Sequence, residues 1–298
     1  MSEEMEANMA RERVALALHG GAGAKPGRDY NRQIAHMREQ VEIARDDLYA
    51  GASALDVVTK VVAALEISGL YVAGRGASPN VEGKYELDAS IMDGASARAG
   101  AVAVLTGIQS PVAAARAVME QTPHVLLAGE GARHFAKMQR LPEIQDPETW
   151  FTRAEAETET RAGLSHGTVG CVALDAQGRM AAATSTGGVF GKLPGRVGDT
   201  PLIGAGVWAD AQVGVSCTGL GEYFIRTAAA AQLAFRIRLA GETLDAAAQA
   251  VLDDIGRLGG NGGLIALDRA GRIVMPFNSQ GMKRAALHPD GRIEADAF

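Results

Sequence analysis

Gly167-Thr168 is the pair in this 298-residue chain with the most chemistry open to it. A hydroxyl on Thr168 can attack the carbonyl just before it, because glycine puts no side chain in the way. If that bond breaks, Thr168 becomes a chain N-terminus with a hydroxyl nucleophile and an α-amine on one residue. The amine then serves as the base, the threonine form of nucleophile-plus-base catalysis. A free α-amine titrates at roughly 7.7–8.0, so a useful fraction is neutral near neutral pH. β-branching stiffens Thr at χ1 and favours a fixed line of attack. The plain alternative is a Gly-Thr pair that only opens a strand.

A hydroxyl that cleaves amides needs a substrate holder and a place for developing negative charge. Gly195-Arg196-Val197-Gly198-Asp199 sets a cation and an anion three residues apart on a glycine-flanked turn. Arg196 can grip a carboxylate in bidentate fashion and Asp199 can accept from an ammonium. Together they match the zwitterionic head of an α-amino acid, although a surface ion pair has the same pattern. Thr218-Gly219 offers a hydroxyl and a backbone N–H in one turn, and Gly221 allows close approach. Asp88 and Asp93 read as capping and turn residues. Cys171 and Cys217 have no neighbouring His in the sequence and read as small core residues.

The order of these blocks resembles the plant-type L-asparaginases, or isoaspartyl peptidases, which are N-terminal-nucleophile hydrolases. The matching residues are His19-Gly20-Gly21-Ala22-Gly23, Leu87-Asp88-Ala89-Ser90-Ile91-Met92-Asp93-Gly94, Ser165 to Asp175, Thr184 to Gly188, Gly191 to Pro201 and Val215 to Glu222. The resemblance implies autocleavage between Gly167 and Thr168 into chains 1–167 and 168–298. It implies Thr168, Thr186, Thr218 and Gly219 as catalytic residues, with Arg196, Asp199, Thr218, Gly219 and Gly221 binding substrate. The His19 turn would sit beside the nucleophile and support self-cleavage. The implied substrates are L-asparagine and β-aspartyl dipeptides. A glycosylasparaginase-type hydrolase and an uncleaved, inactive aspartyl-binding homologue are the alternatives. No cofactor is implied beyond a structural sodium ion on backbone carbonyls of the 65–75 loop. The implied assembly is a dimer of αβ heterodimers.

Two positions depart from the family pattern. Val72 stands where relatives usually have Asn, whose amide helps order the active site, and Arg75 stands where a small or apolar residue is usual. The expectation is that Arg75 approaches the site and meets the second carboxylate of a dipeptide, favouring dipeptides over free asparagine.

These residues must be carried by regular elements. Residues 14–18 read as a buried strand ending in the His19–Gly23 turn. Apolar spacing predicts helices over 30–49 and 53–66. Paired strands follow over 85–93 and 99–105, then a helix at 111–119 opened by Pro111, a strand at 125–128 and a helix at 131–138. Residues 168–188 form a hairpin whose turn contains Gly178. Two helices, 222–239 and 244–258, and two short hairpins complete the chain. From 143 to 160 there are six acids and one base, so 141–164 reads as a loose linker. Helices flanking strands make a layered α/β protein forming a single domain, 1–298. Periodicity leaves a doubly wound sheet open; the resemblance implies a four-layer αββα sandwich.

Composition restricts the function class. A net charge of −6 gives no electrostatic case for nucleic acid or anionic membrane. No apolar run approaches the 18 or so residues of a membrane span. No Gly-Lys-Ser/Thr phosphate loop occurs, so the glycine-rich His19 turn is not read as a nucleotide site. The acidic start, residues 1–6, lacks the apolar core of a secretory signal, and two cysteines suit a reducing compartment, so a cytoplasmic location is expected.

Overall fold

The structure is a computed structural model that describes residues 13–152 and 166–298. The N-terminal arm (1–12) and most of the expected linker lie outside the described residues. In chain order the elements are β1 (Ala15–Ala22), α1 (Asn31–Tyr49), α2 (Ala54–Ser68), a 3-10 turn (Gly74–Gly76), β2 (Leu87–Asp93), β3 (Ala99–Leu105), α3 (Pro111–Gln121), β4 (Leu126–Ala128), α4 (Gly129–Met138) and α5 (Pro147–Trp150). The second half holds β5 (His166–Leu174), β6 (Met180–Val189), β7 (Val207–Ala209), β8 (Val213–Gly219), α6 (Gly221–Thr227), α7 (Ala229–Ala240), α8 (Leu244–Arg257), β9 (Gly262–Asp268), β10 (Ile273–Val274), β11 (Met282–Leu287) and β12 (Ile293–Asp296).

Helix boundaries follow local chemistry. Ser53 caps α2 by accepting from the Asp56 N–H, and Gly69 ends the helix with φ 71°. Ser110 caps α3 ahead of Pro111, where a missing N–H costs nothing. Two expectations fail here. The single helix expected over 222–239 is split at Ala228, which takes φ 48°. The α7 N-terminus is satisfied from outside: the Ala230 and Ala231 N–H groups donate to Ala205 O and Gly204 O, at 3.2 and 2.9 Å. An alanine-rich run gives no sign of such a break, because tertiary hydrogen bonds replace the helical ones. Residues 141–152, expected within a loose linker, are also folded. Phe151 stacks on Tyr85 with ring centroids 3.7 Å apart, and the Thr152 N–H donates to Arg75 O at 2.9 Å.

The strands form an eight-stranded sheet in the order β12-β11-β1-β5-β6-β2-β3-β4 and a four-stranded sheet in the order β10-β9-β8-β7. Strand alternation sorts the side chains of the large sheet. Leu16, Leu18, Val169, Cys171, Ala181, Ala183, Ala89 and Ile91 join one apolar cluster with α1, α2 and α3. Ala15, Ala17, Val172, Leu174, Ala182 and Met92 point the other way and pack with Val207, Ala209, Ile265 and Leu267 of the small sheet. A third cluster joins the remaining face of the small sheet to α6, α7 and α8.

The face between the sheets changes character along the strands. The row Ala17, Val172, Ala182 and Met92 is apolar. Two residues away, the next row on that face is His19, Gly170, Thr184 and Ser90, and the last is Thr168, Thr186 and Asp88. The hairpin of β5 and β6 turns at Asp175–Arg179, with Gly178 at φ 74°, as the sequence suggests. By contrast β1 does not stop at Leu18. It runs through the glycines, and its register against β11 slips between His19 and Ala22, with Gly21 at φ 101°. The glycines make an irregular strand end rather than a turn.

Candidate active site

Thr168 is almost fully buried, 4% exposed, in the third residue of β5. It stands directly across the ladder from Thr186 on β6. The Thr186 hydroxyl donates to the Gly167 carbonyl oxygen at 2.8 Å and accepts from the Gly188 N–H at 2.9 Å. The carbonyl preceding the candidate nucleophile is therefore already polarised by a donor.

His19 fixes the other side. Its Nδ1 lies 2.9 Å from Thr168 O and its Nε2 lies 2.8 Å from Ser216 Oγ. A carbonyl only accepts, so Nδ1 carries the proton. Burial pushes the imidazole down to about 3, so the ring is neutral and Nε2 accepts from the Ser216 hydroxyl. His19 thus ties β1, β5 and β8 together and holds Thr168 by its backbone. Gly21 comes close as well: a β-carbon added there would lie 3.1 Å from Gly167 Cα and 3.3 Å from Thr168 N.

One cavity brings together Gly167, Thr168, Thr186, Arg196, Asp199 and Gly219. Thr218 and Gly221 do not line it. Thr218 is buried behind the wall, where its Oγ1 accepts from the Ala22 N–H at 3.0 Å, which leaves its own hydroxyl proton free to donate. Gly221 lies beneath Asp199, and a β-carbon there would sit 2.8 Å from Asp199 Oδ1. Arg196 and Asp199 make no ion pair with each other among the described contacts. Arg196 forms a bidentate pair with Glu222, with Nε to Oε1 and Nη2 to Oε2 both at 2.9 Å. Asp199 is 3% exposed, its Oδ2 has no partner, and burial pushes its carboxyl up to about 7 against the pull of its own N–H and of Arg196. An unpartnered buried carboxylate oxygen has the chemistry to accept from an ammonium, while the neighbouring guanidinium is held by Glu222.

Of the two departing residues, Val72 sits beside the site as expected and Arg75 does not. Val72 packs against the Gly167 backbone, and its carbonyl accepts from the Gly187 N–H at 2.8 Å. Arg75 turns away from the cavity. Its Nε donates to Trp150 O at 3.0 Å, and the guanidinium carbon lies 5.7 Å from the Trp150 ring centre. The expected meeting of Arg75 with a dipeptide carboxylate is corrected: that charge is committed to the segment before the linker. Sequence reasoning missed Ser216, Glu222 and the buried Lys192, whose Nζ donates to Glu86 O at 2.7 Å. Glu222 was within view, at the end of the block Val215 to Glu222. Ser216 and Lys192 also lie inside the matching blocks, but their partners, His19 and Glu86, are distant in the chain. Asp93 behaves as expected, accepting from the Ala95 N–H and the Ser96 hydroxyl in a turn.

The chain matches the family model described as asparaginase over residues 12–295. It is 46% identical to an isoaspartyl peptidase of Salmonella typhimurium, over 92% of this chain and 95% of that protein. It is 39% identical to a plant-type L-asparaginase of Pyrococcus horikoshii, over 95% of this chain and 99% of the relative. An isoaspartyl peptidase/L-asparaginase of Mus musculus is 38% identical over 95% of this chain and 90% of its own length.

Proposed function

The chain belongs to the asparaginase family, and on that premise we propose that it hydrolyses L-asparagine and β-aspartyl dipeptides through Thr168, freed by autocleavage. The observation that carries this reading is the carbonyl of Gly167, held by the Thr186 hydroxyl, beside a Thr168 that opens onto the Arg196–Asp199 cavity. In the first stage the Thr168 hydroxyl attacks the Gly167 carbonyl carbon. The C–N bond breaks, the proton passes to the departing α-amine, and water hydrolyses the resulting ester to leave a Gly167 carboxylate. In the second stage Asp199 receives the substrate ammonium and Arg196 its α-carboxylate. The Thr168 hydroxyl, relieved of its proton by the new α-amine, attacks the side-chain carbonyl. The Gly219 N–H and the Thr218 hydroxyl take the oxyanion. The leaving amine takes the proton, and water then releases aspartate from Thr168.

Four finer readings belong to the same proposal. The three apolar clusters support a four-layer αββα sandwich of the N-terminal-nucleophile type. A groove where Val125, Ile203 and Trp208 lie among Arg98, Asp210 and Arg238 supports a dimer of cleaved heterodimers, because it offers a partner both apolar surface and charge. Two free, buried cysteines suit a cytoplasmic protein, and among the described residues no helix is long and apolar enough to cross a membrane. The Gly69 and Tyr71 carbonyl oxygens both lie close to where a Gly76 β-carbon would be, and this grouping of hard oxygen donors supports a sodium ion on the 65–75 loop.

The test is a denaturing gel with N-terminal sequencing of the small fragment. The expected result is two chains, the smaller beginning at Thr168, and a single inactive chain for Thr168→Ala. A wild-type protein that remains whole and inactive would instead support the aspartyl-binding alternative.

A further inference from the structure

Asp88 is a buried carboxylate for which the reaction above has no use. It is fully buried in β2, on the face between the sheets. Oδ1 accepts from the Val104 N–H at 2.8 Å, while Oδ2 is buried with no partner. A carboxylate oxygen left unpaired in a protein interior is costly, so its retention calls for a reason.

The backbone around it is unusual as well. The register between β2 and β3 slips between Leu87 and Ala89, and Val104, opposite the slip, takes φ 54°. A β-branched residue in the left-handed region is strained. That strain aims the Val104 N–H at Asp88 and leaves Oδ2 turned elsewhere.

The register says where. Asp88 stands directly across from Thr186, and Thr186 directly across from Thr168, so the three side chains form one row. Directly opposed residues bring their β-carbons within about 4.5–5.5 Å, close enough for a carboxylate and a hydroxyl to meet after a rotamer change. In the intact chain the Thr186 hydroxyl has no proton to offer Asp88, because it donates to Gly167 O. Cleavage removes that carbonyl from the peptide. The hydroxyl is then left with the Gly188 N–H on one lone pair, a proton to place, and one lone pair still open.

We propose that Asp88 is a positioning residue of the mature enzyme: after cleavage its Oδ2 accepts the Thr186 hydroxyl proton and turns the open lone pair of Thr186 towards Thr168. The inference rests on Thr168 as the nucleophile. Thr186 thereby changes partner between the two stages, polarising the Gly167 carbonyl in the first and accepting from the Thr168 amine or hydroxyl in the second. The charged groups facing Asp88 are Lys192, Arg196 and Glu86, with Asp199 across the cavity. Lys192 is itself buried and held on Glu86 O. Burial pushes the Asp88 carboxyl up, while Lys192, the Val104 N–H and Arg196 favour its charged form.

The test is Asp88→Asn. The amide oxygen keeps the Val104 contact, and the amide N–H₂ then faces Thr186 as a donor. That is harmless in the first stage, where Thr186 has a lone pair to spare. In the second stage the amide occupies that lone pair and blocks it. The expected result is autocleavage at the wild-type extent and a melting temperature no lower than that of the wild type, with kcat lower by about 10²-fold, the scale of a misplaced catalytic contact, and KM within about threefold. Full turnover in Asp88→Asn would overturn the inference, and so would equal loss of cleavage and turnover, which marks a structural role. If Asp88→Asn proves insoluble, Asp88→Ala combined with Val104→Gly removes the strained turn along with its acceptor and is read in the same way. The wild type and Thr168→Ala run alongside: an uncleaved wild type defeats the nucleophile reading, whereas a cleaved, active wild type with a fully active Asp88→Asn defeats only the role of Asp88.

Discussion

Val72 stands so close to Gly167 that a β-carbon added to the glycine would lie 2.9 Å from both Val72 Cβ and Cγ2. The residue before the proposed cut must therefore be glycine for two reasons: access for the Thr168 hydroxyl, and room beside Val72. Gly167→Ala is expected to slow autocleavage severely, with overpacking of about 1–3 kcal/mol in the folded chain. Adding Val72→Ala should restore part of the rate by making room. Cleavage time courses on gels for both single variants and the double variant measure the coupling, and strict additivity would remove steric contact as the cause.

Thr186 offers a second test, because its hydroxyl is the donor on the scissile carbonyl. Thr186→Val keeps the shape and removes the proton. Autocleavage is expected to fall by about 10²–10³-fold, the scale measured when one donor to a developing oxyanion is lost. Thr186→Ser should retain most of the rate. The readout is the half-time for appearance of the small fragment.

Asp199 makes the binding of substrate depend on pH. The Asp199 carboxyl, held up to about 7 by burial, must be ionised to receive an ammonium. Below that pH each binding event has to expel a proton, so KM is expected to rise by up to about tenfold per pH unit. Asp199→Asn should flatten this limb. The sign for stability is opposite. An unfolded Asp loses its proton near 3.8 and the folded one near 7, so free enzyme loses stability as pH rises through that window. Asp199→Asn is accordingly expected to melt higher than wild type at pH values above about 7, where that loss is complete. Arg196→Ala should raise KM while leaving cleavage intact, since Arg196 touches Glu222 and the cavity but not the Gly167 carbonyl.

Ala228 supplies a prediction about stability alone. Its left-handed conformation costs about 1–2 kcal/mol for a residue with a β-carbon. Ala228→Gly is expected to raise the melting temperature by about 2–4 °C per kcal/mol relieved. A calorimetric scan decides it, and a lower melting temperature would show that the alanine methyl packs for more than its backbone costs.

The parts of the site that could be read from sequence are those carried by contiguous blocks. Thr168, Arg196, Asp199 and Gly219 announce themselves by type and spacing, and they share one cavity. Most elements were equally legible, because caps such as Ser53 and Ser110 and turns such as Gly178 act within a few residues. What escaped depends on distant partners. Ser216 matters because of a histidine 197 residues away, and Ala228 breaks a helix because Ala205 and Gly204 satisfy the next one. The packing of 141–152 was hidden for a similar reason. Its acidic composition argues for solvation, and only the stacking of Phe151 on Tyr85 and the grip of Arg75 on Trp150 overrule that.

The strand order has a consequence for how a cut molecule would come apart. Of the eight-stranded sheet, β1, β2, β3 and β4 belong to the larger fragment, and nearly all of β5, with β6, β11 and β12, to the smaller. The larger fragment's β1 is threaded between β11 and β5, and its β2 lies along β6. Neither fragment keeps the eight-stranded sheet whole when the other departs, although the four strands β7 to β10 all stay with the smaller one. Melting of the cleaved form thus becomes a two-body dissociation: its midpoint falls on dilution, and cooling does not promptly reverse it, because orphaned strand edges must find each other before they find other chains. Autocleavage would exchange a reversible equilibrium for endurance measured in hours, set by the rate at which the interleaved ladders first let go.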